Sequence, residues 1–191
     1  MFSKDYYKGD SLVVKGVYAF YNYEFDQAVE ILTDARKQFP DHPGVHLIWA
    51  ASRWVKTQAN APVEETYKVL ETDLAEIHPV YAELVERYDY DPNYRLYQGS
   101  ALGLSARVTL GRKQWLRTLY RSFRGLSIIK DIAKETPQIT DAQLPVGIVE
   151  YYAGISHSLL KWAVELYGLE ASRESGLRKI SLAADEGSWA W

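Results

Sequence analysis

The chain has 191 residues, 47% of them hydrophobic and 25% charged, with a formal net charge of −3. That apolar content suits a folded domain and excludes a disordered tail, and the charge balance argues against a general polyanion binder. The absence of cysteine excludes disulfides and thiolate metal sites.

Apolar residues recur at helical spacing along nearly the whole chain, and period-two alternation competes nowhere. The pattern predicts a first helix from Ser11 to about Tyr23, with Leu12, Gly16, Ala19 and Phe20 on one face. A second follows to Phe39, stopped by Pro40. DHPG (41–44) reads as a turn, and a third helix runs from about Val45 to Lys56. After the polar loop TQANAP, one apolar stripe of Val63, Tyr67, Leu70, Leu74, Ile77, Tyr81, Leu84 and Tyr88 continues past Pro79. It reads as one long kinked helix or two short coaxial ones. DYDPN (89–93) starts another helix to about Leu110. The next, Arg112 to Lys134, is expected to pack through Trp115, Leu119, Phe123, Leu126 and Ile129. Three more helices follow, near 142–152, 157–167 and 172–185. The fold class is therefore all-α.

The helices fall into pairs that resemble one another. Leu12, Gly16 and Phe20 on one helix, then Phe25, Ala28, Leu32 and Ala35 on the next, end at Pro40. Two antiparallel helices approach closely where small residues meet, which the spacing assigns to Gly16 and Ala28. In this register the first unit resembles the tetratricopeptide repeat (TPR) family. Further on, Asp141, Ala142, Gly147, Tyr151 and Tyr152 match the D-A-x-x-x-x-G-x-x-x-Y-Y pattern of long-helix, TPR-like bacterial proteins. The resemblance implies an α-α superhelix, a solenoid of about four helix pairs with the last incomplete. One repeat domain is expected, with units near 10–42, 43–90, 91–138 and 139–191. It implies no particular chemistry.

Candidate catalytic and metal motifs are weak. His42 and His46 have helical metal-pair spacing, but Pro43 and Gly44 intervene and a third ligand is missing. They read as a cap residue and an exposed histidine. DYDPN begins like a calcium loop, yet Tyr94 and Ser100 stand where that loop needs Gly and Glu. Capping by Asp91 ahead of Pro92 explains it better. Ser156, His157 and Ser158 lack a nucleophile elbow. GSALGLSA (99–106) lacks the Lys-Ser/Thr ending of a phosphate loop. The reading is a non-enzyme without cofactor or metal.

Charge is unevenly placed. Residues 61–91 carry nine acids against two bases, whereas Pro92–Lys130 carries eight bases and no acid. Lys113, Arg117, Arg121 and Arg124 form a basic stripe. Either the two segments pair as a seam between neighbouring units, or the stripe meets an external anion; the overall charge favours the seam and disfavours nucleic acid. In a TPR array the first helix of each pair lines a groove. By that resemblance Val17, Phe20, Tyr21, Trp54, Arg107, Tyr151 and Tyr152 point inward, and aromatic residues and arginine carry interface energy.

The leading expectation is a non-catalytic scaffold holding a peptide or partner helix in a concave groove. The alternative is a small-ligand-binding protein of the cell envelope or a transport system. No transmembrane stretch is present, and MFSKDYYKGD lacks the apolar core of a signal peptide. A soluble protein is expected, cytoplasmic or, if trimmed, periplasmic. The closing DEGSWAW, with Trp189 and Trp191, leaves self-association through the last helix open.

Overall fold

The computed structural model describes residues 6–155 and 158–187. Among them are nine α-helices, one short 3-10 turn and no strand. The chain forms two compact units, Met1–Gly125 and Leu126–Trp191. The sequence features at Ser156, His157, Trp189 and Trp191, and the Trp115 side chain, lie outside the described residues.

The first unit holds α1 (Asp10–Tyr21), α2 (Phe25–Gln38), α3 (Val45–Asn60), α4 (Val63–Arg87), α5 (Pro92–Gly111) and the start of α6 (Trp115–Glu135). Helix α4 is a single helix with Pro79 inside it, which decides between the two readings of that stretch. Helix α5 starts as expected: Asp91 accepts a hydrogen bond from the Asn93 N–H at 3.0 Å, and Pro92 occupies the first turn, where its missing N–H costs nothing.

Each of α1 to α5 packs against the next, and in addition α1 touches α3 and α3 touches α5. The buried apolar residues include Val13 and Val17 of α1, Ala28, Leu32 and Ala35 of α2, Trp49 and Ala50 of α3, and Leu70, Leu74 and Ile77 of α4. At the close approach of α1 and α2, a Cβ on Gly16 would sit 2.5 Å from Leu32 Cγ, so the glycine makes room for a leucine of α2. Gly125 of α6 approaches α5 more closely still: a Cβ there would lie 2.5 Å from the Gly99 carbonyl and the Gly103 amide.

Charged and polar groups cross the α2–α3–α4 seam in a linked set. Trp49 lies beneath two guanidiniums, Arg36 at 4.1 Å and Arg53 at 5.0 Å from the ring centre. Arg36 also donates to His46 Nδ1 at 2.8 Å and to Glu76 at 2.7 Å, while Arg53 donates to the buried Asp73 at 2.8 Å. Burial pushes the Asp73 carboxyl above its ordinary range despite that pairing. Fully buried Tyr81 donates to the Pro43 carbonyl at 2.8 Å and accepts from the Leu47 N–H at 3.0 Å, tying α4 to the entry of α3.

The second unit contains the end of α6, a 3-10 turn (Thr140–Ala142), α7 (Gln143–Gly154), α8 (Ser158–Leu166) and α9 (Arg173–Glu186). Helices α7 and α9 cross backbone to backbone. A Cβ on Gly147 would meet the Gly176 carbonyl at 2.8 Å, and one on Gly176 would meet the Tyr151 amide at 2.4 Å. The glycine of the D-A-x-x-x-x-G pattern thus has a packing reason. Beside this crossing Glu150, 1% exposed, is held by Lys179 at 2.5 Å, Ser175 Oγ at 2.9 Å and the Glu170 N–H at 3.1 Å.

Candidate interaction surface on α1, α3 and α5

The residues expected to line a groove have divided fates. Val17 is buried and belongs to the core between α1 and its neighbours, so it is not a surface residue. An apolar side chain facing the inner side of α1 is taken up by packing before any partner reaches it. Phe20 is half-buried and Tyr21 exposed, and their rings meet edge to face at 5.6 Å. Phe20 also contacts Phe25 at 5.9 Å, which fixes the end of α1 against the start of α2.

Trp54 of α3 and Arg107 of α5 come together across 53 residues of chain. The guanidinium of Arg107 stands 6.0 Å from the indole ring centre, and both residues are half-buried. Such a stack is worth about 0.5–1 kcal/mol at an exposed site and more when water is excluded. Among the described residues Trp54 Nε1 is buried without a hydrogen-bond partner. An orphaned buried N–H costs about 1–3 kcal/mol. Tyr151 and Tyr152 lie in the second unit, half-buried and exposed respectively, with rings edge to face at 5.5 Å.

The acidic and basic segments pair only in part. Arg112, at the end of α5, holds Glu71 at 2.8 Å and Glu64 at 3.1 Å, as a seam between the segments requires. Other α4 carboxylates go elsewhere: Asp73 to Arg53 of α3 and Glu76 to Arg36 of α2. Sequence distance misleads here, because α4 is sandwiched between α3 and α5 and offers a face to each. A cleft of about 560 Å³ beside α4 is walled in part by these same pairs, Arg53 against Asp73 and Arg112 against Glu64, together with Glu65 and Lys68.

On the basic stripe, Lys113, Arg117 and Arg124 are exposed, whereas Arg121 is half-buried and donates to the Ser105 carbonyl at 3.1 Å. Leu119 and Phe123 were assigned to the packing side of this helix; both are exposed. Gly125 faces α5 instead, and Thr118 Oγ1 meets Thr109 Oγ1 at 3.0 Å, so small and polar residues make the contact.

The described histidines, His42, His46 and His78, are engaged in hydrogen bonds within the first unit. His42 Nδ1 accepts from the Gly44 N–H at 3.1 Å, which places the ring proton on Nε2, 2.8 Å from Asp10 Oδ1. Burial raises the Asp10 carboxyl, but hydrogen bonds from His42 and the Tyr7 and Tyr6 amides outweigh it and hold it below its ordinary value. This dyad joins residues 32 positions apart, and no spacing in the sequence announces it. His46 is buried rather than exposed, accepting from Arg36 and donating to the Pro40 carbonyl at 2.7 Å. Burial foremost keeps its imidazole below the ordinary value, and the same holds for His78 beside Ser105. With both nitrogens of His42 and His46 committed, neither is placed to carry a proton to a substrate. No group of three or more His, Asp or Glu residues able to hold a metal gathers among the described residues. No helix among them is long and apolar enough to cross a membrane.

Compared with protein-family models, curated proteins and solved structures, the chain matches none of them.

Proposed function

We propose that the chain is a non-catalytic interaction scaffold of the TPR-like kind, in which α1, α3 and α5 present a common face to an extended peptide or a partner helix. The observation that carries this reading is the half-buried Trp54–Arg107 stack, which joins α3 to α5. Two residues of the types that dominate interface energies are thereby held together. The contacts of α1 with α3 and of α3 with α5 support it, since alternate helices touch when helix pairs stack into a superhelix. Exposed Tyr21 extends the same set onto α1.

The test is selection of displayed peptides on the immobilised intact chain, with a Trp54→Ala/Arg107→Ala variant run in parallel. The reading expects a recurring peptide pattern that binds the variant at least about thirtyfold more weakly, the size of a hot-spot loss. Peptides that bind both proteins equally, while circular dichroism shows the variant folded, would place recognition elsewhere.

A further inference from the structure

The first half of helix α6, up to Phe123, exposes its large apolar side chains, whereas Ile129 and Ile132 further along are buried. Toward α5 it presents Thr118 and Gly125. On the other side Leu116 is 84% exposed, Tyr120 61%, Leu119 52% and Phe123 41%. Positions 116, 119, 120 and 123 are spaced i, i+3, i+4 and i+7, so they form one continuous stripe. Leu110, at the end of α5, is exposed as well. A run of this kind is costly to leave in water and marks a contact surface.

The charge beside the stripe says what the contact is. Lys113, in the turn before α6, and Arg117 and Arg124 on it are exposed, the Arg124 guanidinium standing 5.8 Å from the Tyr120 ring centre. No acid occurs anywhere from Pro92 to Lys130. The acids that make the whole chain net negative lie elsewhere, and Glu64, Glu71, Asp73, Glu76 and Glu83 of 61–91 pair with Arg112, Arg53, Arg36 and Arg87. Pairing of α6 with α6 of a second copy would set guanidiniums against guanidiniums. Nucleic acid would satisfy the arginines and leave the leucines without a partner. A partner peptide is gripped by walls from two elements, whereas this stripe comes from the outward side of one helix.

We propose that the outward face of α6 docks on an anionic lipid surface. Leu116, Leu119 and Phe123 enter the boundary between headgroups and acyl chains. Tyr120 keeps its hydroxyl at headgroup level, and Lys113, Arg117 and Arg124 meet the lipid phosphates. This site is separate from the α1–α3–α5 face, and neither depends on the other.

The test is co-sedimentation of the intact chain with vesicles of phosphatidylcholine alone and of phosphatidylcholine mixed with phosphatidylglycerol. Two variants run alongside, Arg117→Glu/Arg124→Glu and Leu116→Ser/Leu119→Ser/Phe123→Ser, each checked for native helicity and melting. All five changed positions are exposed, so the fold is expected to survive. The proposal expects binding to the mixed vesicles only, weakened by salt, and a loss of at least about thirtyfold in the arginine variant. The apolar variant is expected to lose binding comparably. Three results would each overturn it: no sedimentation with either vesicle, equal binding by the apolar variant and the parent, or a dimer of the parent that the apolar variant dissociates.

Discussion

The Tyr81 hydroxyl offers a sharp test of how α4 is fastened to the rest of the first unit. It is fully buried and stands between two backbone groups, donating to the Pro43 carbonyl and accepting from the Leu47 N–H. Residues 43 and 47 are one helical turn apart, so the hydroxyl bridges a pair that would otherwise close the first turn of α3 directly. Tyr81→Phe leaves the ring in place and deletes only the bridge. If both backbone groups stayed unpaired, the cost would be about 2–6 kcal/mol, at about 1–3 kcal/mol for each. Closure of the turn recovers part of this, because the two groups need only approach each other. The expected loss is therefore about 1–2 kcal/mol. In urea denaturation, with a slope near 2 kcal/mol per molar, the midpoint should fall by about 0.5–1 M. Native-state hydrogen exchange should report weaker protection at the Leu47 amide. An unchanged midpoint and unchanged exchange would show that the bridge contributes nothing. A loss above about 4 kcal/mol would show that the turn does not close.

Three other outcomes are expected. His46 and His78 are held below the ordinary imidazole value, so below about pH 6.5 the unfolded chain takes up protons that the folded chain refuses. Stability should fall as pH drops through that value, by up to about 1.4 kcal/mol per pH unit for each histidine, and His78→Gln should flatten the slope; Asp73, raised by burial, acts in the opposite sense. Urea midpoints measured across that range would expose an error if they stayed level or rose toward acid. Gly176→Ala places a methyl group against the Tyr151 amide and should cost about 1–3 kcal/mol or more by forcing α7 and α9 apart, read as a lower melting temperature. Glu150→Ala strips Lys179 and Ser175 of their buried acceptor and should cost about 3–5 kcal/mol, whereas Glu150→Gln should cost less because it keeps the shape and a carbonyl.

Helix positions were the most legible part of the chain, since a 3.6-residue period and the Asp91-Pro92 start are local signals. Which side of a helix faces inward was less so. In α6 the apolar stripe is plain in the sequence, and Ile129 is buried as expected, but Leu119 and Phe123 are exposed and the contact with α5 is made by Gly125 and Thr118, which carry almost no hydrophobic signal. The same limit appears at Gly16, which reads as a small partner for Ala28 and serves as a socket for Leu32. Trp54 and Arg107 were picked out by residue type and by their place on first helices, and they meet. Val17 was picked out by place alone, and packing claims it. The Asp10–His42 and Arg36–His46–Glu76 links were invisible, because a single hydrogen bond between distant residues leaves no periodic trace.

The indole signal of half-buried Trp54 gives the most direct test of the proposed scaffold. A peptide obtained by selection on the intact chain would be titrated into protein labelled with nitrogen-15, and the six tryptophan indole signals followed. The scaffold reading predicts that the Trp54 signal, assigned by its absence in Trp54→Phe, shifts and saturates as the peptide covers the half-buried ring. Saturable binding that shifts other indole signals and leaves that of Trp54 in place would contradict it.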